Sequence, residues 1–181
     1  MSTSRIILVR HGETIWNREG RCQGASDIPL SEIGHEQAQA LAAALSREVV
    51  HAVYSSDLVR ARQTAEAIAA RHRLPVLADA RLRELNQGEL EGQGLKEMLA
   101  GRPELLKQWL DQPADVCMPG GESMRAMQAR SGRAVEEIAH RHPDQTCIIV
   151  GHGLCGPHLE RVDDRRAAVA RVDPLTVDTG R

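Results

Sequence analysis

Arg10-His11-Gly12 and Gly151-His152-Gly153 each follow a short apolar run, and a third run ends in Ser55-Ser56-Asp57, with Arg60 on the first turn of the segment that follows. Glycine beside an imidazole lets backbone approach a ligand closely. Two guanidiniums offer forked N–H donors matched to phosphate oxygens. Two imidazoles near a dianion are drawn toward protonation, except where one is kept neutral to attack. His11, Arg10, Arg60 and His152 therefore read as one anion-binding constellation, with a histidine as the nucleophile toward phosphorus. Such covalent chemistry also needs a proton donor for the departing alkoxide and later a base for water. Glu84, in Leu82-Arg83-Glu84-Leu85-Asn86-Gln87-Gly88, is the carboxylate candidate. From spacing alone it also reads as an ordinary surface glutamate.

A metal-assisted route has less support in the residues. No His-Glu-x-x-His stretch or Asp-rich ligand cluster is present. His140 and His142 lie at a polar helix end beside Pro143 and read as solvated. Cys22, Cys117, Cys147 and Cys155 are widely separated and suggest neither a zinc site nor a disulfide framework. No metal and no cofactor is expected.

The elements that must position these groups are three buried strands, Arg5–Val9, Ala52–Tyr54 and Thr146–Val150, rich in β-branched residues and without polar alternation. Helical spacing lies between them. Ser31 can cap a helix carrying Ala38, Leu41, Ala42 and Leu45 on one face. A second helix fits Asp57 to about His72, and a third fits Ser123 to about Arg141, ended by Pro143. Strands alternating with helices imply an α/β three-layer sandwich, with a mainly parallel central sheet and helices on both faces. In open parallel sheets ligands bind beyond the carboxyl ends of the strands, which is where the histidines and arginines fall. Residues of about 87–121 read as an excursion over the sheet edge or a lid, with Trp16 and Trp109 packing it.

At 181 residues the chain is expected to form a single domain, 1–181. A net charge of −2 supplies no basic excess for nucleic acid, and Trp16, Trp109 and Tyr54 with no Phe give few stacking platforms. Only Lys96 and Lys107 are lysines, an arginine bias that fits a GC-rich genome. Neither a secretory h-region nor a run approaching the ~20 apolar residues of a membrane span is found, so a cytoplasmic location is expected. The expected partner is a small phosphorylated metabolite, with homodimerisation left open.

The ordered series of motifs resembles the histidine phosphatase superfamily, the phosphoglycerate-mutase-like enzymes. It comprises Leu8-Val9-Arg10-His11-Gly12-Glu13-Thr14 with Trp16-Asn17, then Gln23-Gly24 and Asp27-Ile28-Pro29-Leu30-Ser31. Ser55-Ser56-Asp57-Leu58-Val59-Arg60-Ala61, Gln63-Thr64-Ala65, Glu84-Leu85, Gly88 and Leu90-Glu91-Gly92 follow. Pro119-Gly120-Gly121-Glu122-Ser123 and Val150-Gly151-His152-Gly153 complete it. The resemblance implies that His11 is phosphorylated, that Arg10, Arg60 and His152 form the phosphate pocket, and that Glu84 is the general acid and base. Asn17, Gln23 and Gly24 match positions near the phosphate or substrate entrance, and otherwise read as turn residues.

The spacing between Glu84 and His152 lacks the longer insertion of dedicated mutases and is similar to the compact branch, as the Gly-Gly-Glu-Ser segment is to its broad-specificity and α-ribazole-phosphate phosphatases. A phosphomonoester hydrolase is the expected function, with phosphoglycerate mutase as the alternative. Residues 154–181 form an atypical C-terminal tail of poor apolar periodicity, in which Leu175-Thr176-Val177 resembles a strand. The tail's residue mix is similar to that of a shifted reading frame. It motivates a further alternative, a catalytically impaired phosphate-binding domain.

Overall fold

The computed structural model describes residues 4–153 and 167–172. β1 (Ser4–Arg10), β2 (Ala52–Ser55), β3 (Val76–Ala78), β4 (Thr146–Gly151) and β5 (Ala167–Val172) form one sheet of order β3-β2-β4-β1-β5. All four pairings are parallel. The sheet is covered on both faces, because successive side chains of a strand point to opposite sides. Ile6 and Leu8 of β1, Tyr54 of β2 and Cys147 and Ile149 of β4 share a core with α6 (Met124–Arg141), through Met127, Ala134, Val135 and Ile138. Ile7, Val9, Val53, Ile148 and Val150 face the other way, onto Leu41 and Ala42 of α2 (Glu32–Ala44) and Ala61, Ala65 and Ile68 of α3 (Val59–His72). The expected α/β three-layer architecture is present.

Local chemistry accounts for the helix boundaries. Ser31 caps α2 by accepting from Gly34 N, and Ser123 caps α6 by accepting from Ala126 N. The start of α3 differs from expectation. Its N-cap is Leu58, which supplies no side-chain bond, and Asp27 instead accepts from Val59 N at 2.6 Å across a long sequence gap. Asp57 is engaged by Arg83, whose Nε and Nη2 each donate to it at 2.6 Å. A single-turn helix, α1 (Ile15–Arg18), follows β1, and α4 (Leu95–Gly101) and α5 (Pro103–Asp111) occupy the excursion. The excursion begins strapped to an earlier loop: Cys22 N donates to Gln93 O and Gly92 N to Cys22 O. Trp16 packs over Gly92, and Trp109 packs on the α6-side core.

Three sequence expectations need correction. β3 escaped notice because it is a short edge strand with exposed side chains such as Leu77. β5 lies within the atypical tail, where its Ala-Ala-Val-Ala-Arg-Val sequence is half alanine, a poor strand former; it pairs with β1 from Ser4↔Ala167 to Val9↔Val172. Leu175–Val177, the segment that resembles a strand, and residues 154–166 lie outside the described residues. His142 is not merely solvated: it bridges the Tyr54 hydroxyl at 3.0 Å and Gln145 Oε1 at 2.8 Å. Among the described residues no helix is long and apolar enough to cross a membrane.

The loop after β1 is held by a close backbone approach to α2. A Cβ on Gly12 would strike the Gly34 carbonyl, and a Cβ on Gly34 would strike the carbonyl of Glu13. A Gly→Ala exchange inside a helix ordinarily stabilises by ~1 kcal/mol. At Gly34 the sign is expected to reverse, since overpacking against backbone costs about 1–3 kcal/mol. Urea unfolding of Gly34→Ala should therefore show a lowered midpoint, and an unchanged or raised midpoint would contradict this packing.

Candidate active site

The parallel register assembles the site. Arg10 pairs with Gly151 and Ser55 with Val150, so β1, β4 and β2 end level with one another. The ladder continues one residue further, with His11 N donating to Gly151 O at 3.1 Å and Ser56 N to Val150 O at 3.0 Å. His11 and His152 are thereby brought side by side, with ring centroids 5.1 Å apart and an edge-on interplanar angle of 63°. Both rings are buried.

His11 has a defined tautomer. Its Nδ1 lies 2.7 Å from the Gly12 carbonyl, and a carbonyl can only accept, so Nδ1 carries the proton. The lone pair of the neutral ring is then on Nε2, which accepts from Arg60 Nε at 3.3 Å. Burial pushes the His11 pKa down to about 3, with the Arg60 charge adding to the effect and the Gly12 bond opposing it. His152 is also held well below the usual histidine range, by burial first and then by His11, Arg60, Arg130 and Arg10. Among the described residues neither nitrogen of His152 has a hydrogen-bond partner, although both are buried. Buried polar atoms without partners are uncommon and costly. Such a ring can donate to an anion once it is protonated.

Arg60 is fully buried and enters from the first turn of α3. Its Nη1 donates to Ser26 O at 2.7 Å and its Nη2 to Gly24 O at 2.8 Å. Arg10 is half-buried at the end of β1, and Gly153 lies against its guanidinium. Glu84 is half-buried, and its Oε1 accepts from Leu85 N at 2.9 Å. Its charge acts together with that of Glu91 on Cys22, whose thiol is pushed up to about 11, mostly by burial.

The three entrance candidates have structural employment. Asn17 is exposed, and its Oδ1 accepts from Thr14 N at 3.1 Å, closing a capping box on α1. Gln23 is buried with Oε1 2.9 Å from the Thr14 hydroxyl. Gly24 has a φ of +54° and presents its carbonyl to Arg60.

Residues that spacing did not single out support this arrangement. The Thr64 hydroxyl accepts from Gly12 N at 3.1 Å and donates to Arg60 O at 2.9 Å, tying the loop that carries His11 to α3. Gln37 Oε1 accepts from Glu13 N at 2.8 Å. Arg130 donates to the carbonyls of Arg81 and Arg83, each at 2.8 Å, and of Glu84 at 2.9 Å, and is paired with Glu122. Thr64 and Gln37 interrupt otherwise apolar helix faces, which is the signal available in sequence. Among the described residues, no group of three or more His, Cys, Asp or Glu side chains is placed to hold a metal ion.

Acid stability provides a check on the buried imidazoles. Their folded pKa values are depressed, so the unfolded chain binds more protons below its own histidine pKa of about 6.5. The stability associated with neutral His11 is present above that value and is lost as pH falls toward about 3. His11→Gln, a neutral replacement, should show a shallower fall in unfolding free energy across this window. An identical slope would count against a neutral buried His11.

The site has relatives among known proteins. A family model described as the histidine phosphatase superfamily (branch 1) matches residues 6–156. The chain is 41% identical over 153 residues to phosphoglycerate mutase-like protein 4 of Arabidopsis thaliana, covering 83% of this chain and 66% of that protein. It is 40% identical over 148 residues to phosphoserine phosphatase 1 of Hydrogenobacter thermophilus, covering 82% of this chain and 70% of the relative. The fold is similar to that of a mycobacterial glucosyl-3-phosphoglycerate phosphatase, with a TM-score of 0.78, 34% identity, and coverage of 84% and 78% of the two chains.

Proposed function

The chain belongs to the histidine phosphatase superfamily, and from that premise we propose that it is a metal-independent phosphomonoester hydrolase of small phosphorylated metabolites. The observation that carries this reading is the neutral, buried His11, with Nδ1–H on the Gly12 carbonyl and the Nε2 lone pair beside Arg60. Nε2 attacks phosphorus, and the bond from phosphorus to the ester oxygen breaks. Arg10, Arg60 and His152 hold the non-bridging oxygens, where charge builds up. Glu84, as the carboxylic acid, gives its proton to the departing alkoxide. The Gly12 carbonyl stabilises the positive charge that the ring acquires. Glu84, now a carboxylate, then takes a proton from water as the water oxygen attacks phosphorus. The phosphorus–nitrogen bond breaks, releasing inorganic phosphate and neutral His11. Asn17, Gln23 and Gly24 border the entrance. The cytoplasm, where such metabolites occur, is the proposed location.

Relatives named as phosphatases of phosphoserine and of glucosyl-3-phosphoglycerate favour hydrolysis. The mutase-like relative keeps transfer between hydroxyls as the second reading.

A panel of phosphomonoesters, assayed with and without a metal chelator, tests the proposal. Wild type should release phosphate from several esters with the chelator present, and protein quenched in alkaline denaturant, where a phosphorus–nitrogen bond survives, should carry phosphate on His11. Glu84→Gln should lower kcat by about 10²–10⁴-fold while phosphate still binds, and His11→Ala should abolish turnover. Loss of activity on chelation would contradict the metal-independent mechanism. Sole interconversion of 2- and 3-phosphoglycerate would establish the mutase reading. Phosphate binding without any turnover would establish the impaired one.

A further inference from the structure

We infer that Glu91 is a positioning residue that acts on Arg60 through the Gly24–Ala25 peptide unit, and so sets the affinity of the site for phosphate. The inference rests on the phosphate-site reading above. Glu91 is half-buried at the start of the excursion. Its Oε1 accepts from Ala25 N at 2.7 Å and from Gln87 N at 3.2 Å, and its Oε2 accepts from Ser26 N at 2.7 Å and from the Ser26 hydroxyl. Gly24 O and Ala25 N belong to one planar amide. The carbonyl end of that amide accepts from Arg60 Nη2 at 2.8 Å, and its N–H end donates to Glu91. A carboxylate and a guanidinium thus polarise the same peptide from its two ends, a mutually strengthening arrangement. The second carbonyl on Arg60, that of Ser26, belongs to a residue whose N–H and hydroxyl Glu91 also holds.

The geometry has a purpose that a direct ion pair would defeat. A carboxylate bonded straight to the guanidinium would compete with phosphate for the same N–H donors. A carboxylate one peptide away offsets the buried charge and fixes its orientation without occupying them. Glu91 also takes the amide of Gln87, in the segment that carries Glu84, so one side chain ties the phosphate grip to the strand of chain bearing the proposed acid.

Calorimetric titration with inorganic phosphate, together with steady-state kinetics, tests the inference. Glu91→Gln, which removes the charge and presents an amide to the loop N–H groups, should weaken phosphate binding by about tenfold or more. KM should rise with it. Glu91→Asp keeps the charge but withdraws it by one methylene, and should bind phosphate less tightly than wild type and more tightly than Glu91→Gln. If the glutamine variant does not fold, Glu91→Asp carries the test alone, and wild-type affinity would overturn the inference. Ile138→Val, a core change on α6, should leave phosphate affinity unchanged although it also lowers stability. Wild-type affinity in Glu91→Gln, or an equal loss in Ile138→Val, would overturn the role of Glu91. A wild type that neither binds phosphate nor hydrolyses esters would overturn the reading of the site itself.

Discussion

Arg60 has no solvent exposure, and a buried cation is costly unless its donors are satisfied and its charge is offset. Much of the surrounding architecture meets that demand. The loop of residues 24–26 turns two carbonyls inward, Gly24 adopts a left-handed conformation to do so, and Thr64 takes the Arg60 carbonyl one turn along α3. Because the same guanidinium also donates to His11 Nε2, the position of the His11 ring is set by the burial of its neighbour. The α3 start is secured from the same loop, through Asp27. A single desolvated charge thus links β1, the loop before α2, and α3 into one unit.

The electrostatics of the pair of imidazoles follow from this. Two rings lie close together in a buried, positively charged corner and are both driven neutral. Their situations differ: among the described residues His11 has both nitrogens engaged, whereas His152 has neither. In the proposed reaction an arriving dianion would reverse the local field and favour a proton on His152, whose nitrogens lack other partners among the described residues. The asymmetry gives two residues of one type different settings, which the proposed reaction would use as an attacking ring and a gripping ring.

The central part of this arrangement was legible in sequence. β1, β2 and β4 announced themselves because strands covered on both faces are continuous apolar runs, and their polar ends converge once the sheet is parallel. Ser31 and Ser123 were readable as caps because the signal is local. Asp27 as the cap of α3, Glu91 on the Ala25 amide, and Arg130 against the Glu84 carbonyl were not, since each acts on backbone far away in sequence, and a charged residue in a loop or on a helix looks solvated until its partner is known. β3 and β5 escaped for a different reason. β3 is only three residues long and β5 is half alanine, a poor strand former, so Val76–Ala78 and Ala167–Val172 carry too weak a pattern.

The placement of β1 has a consequence for how the chain is made. β1 takes both of its partners, β4 and β5, from residues 146–151 and 167–172, which are synthesised long after it. Until those residues leave the ribosome, Ile6, Ile7, Leu8 and Val9 have neither sheet edge satisfied. Pairings so distant in sequence carry a large loop-closure cost and slow folding. Among the described strands, the one that aims His11 therefore waits longest for its partners during translation, exposed to aggregation meanwhile, and the setting of His11 forms late.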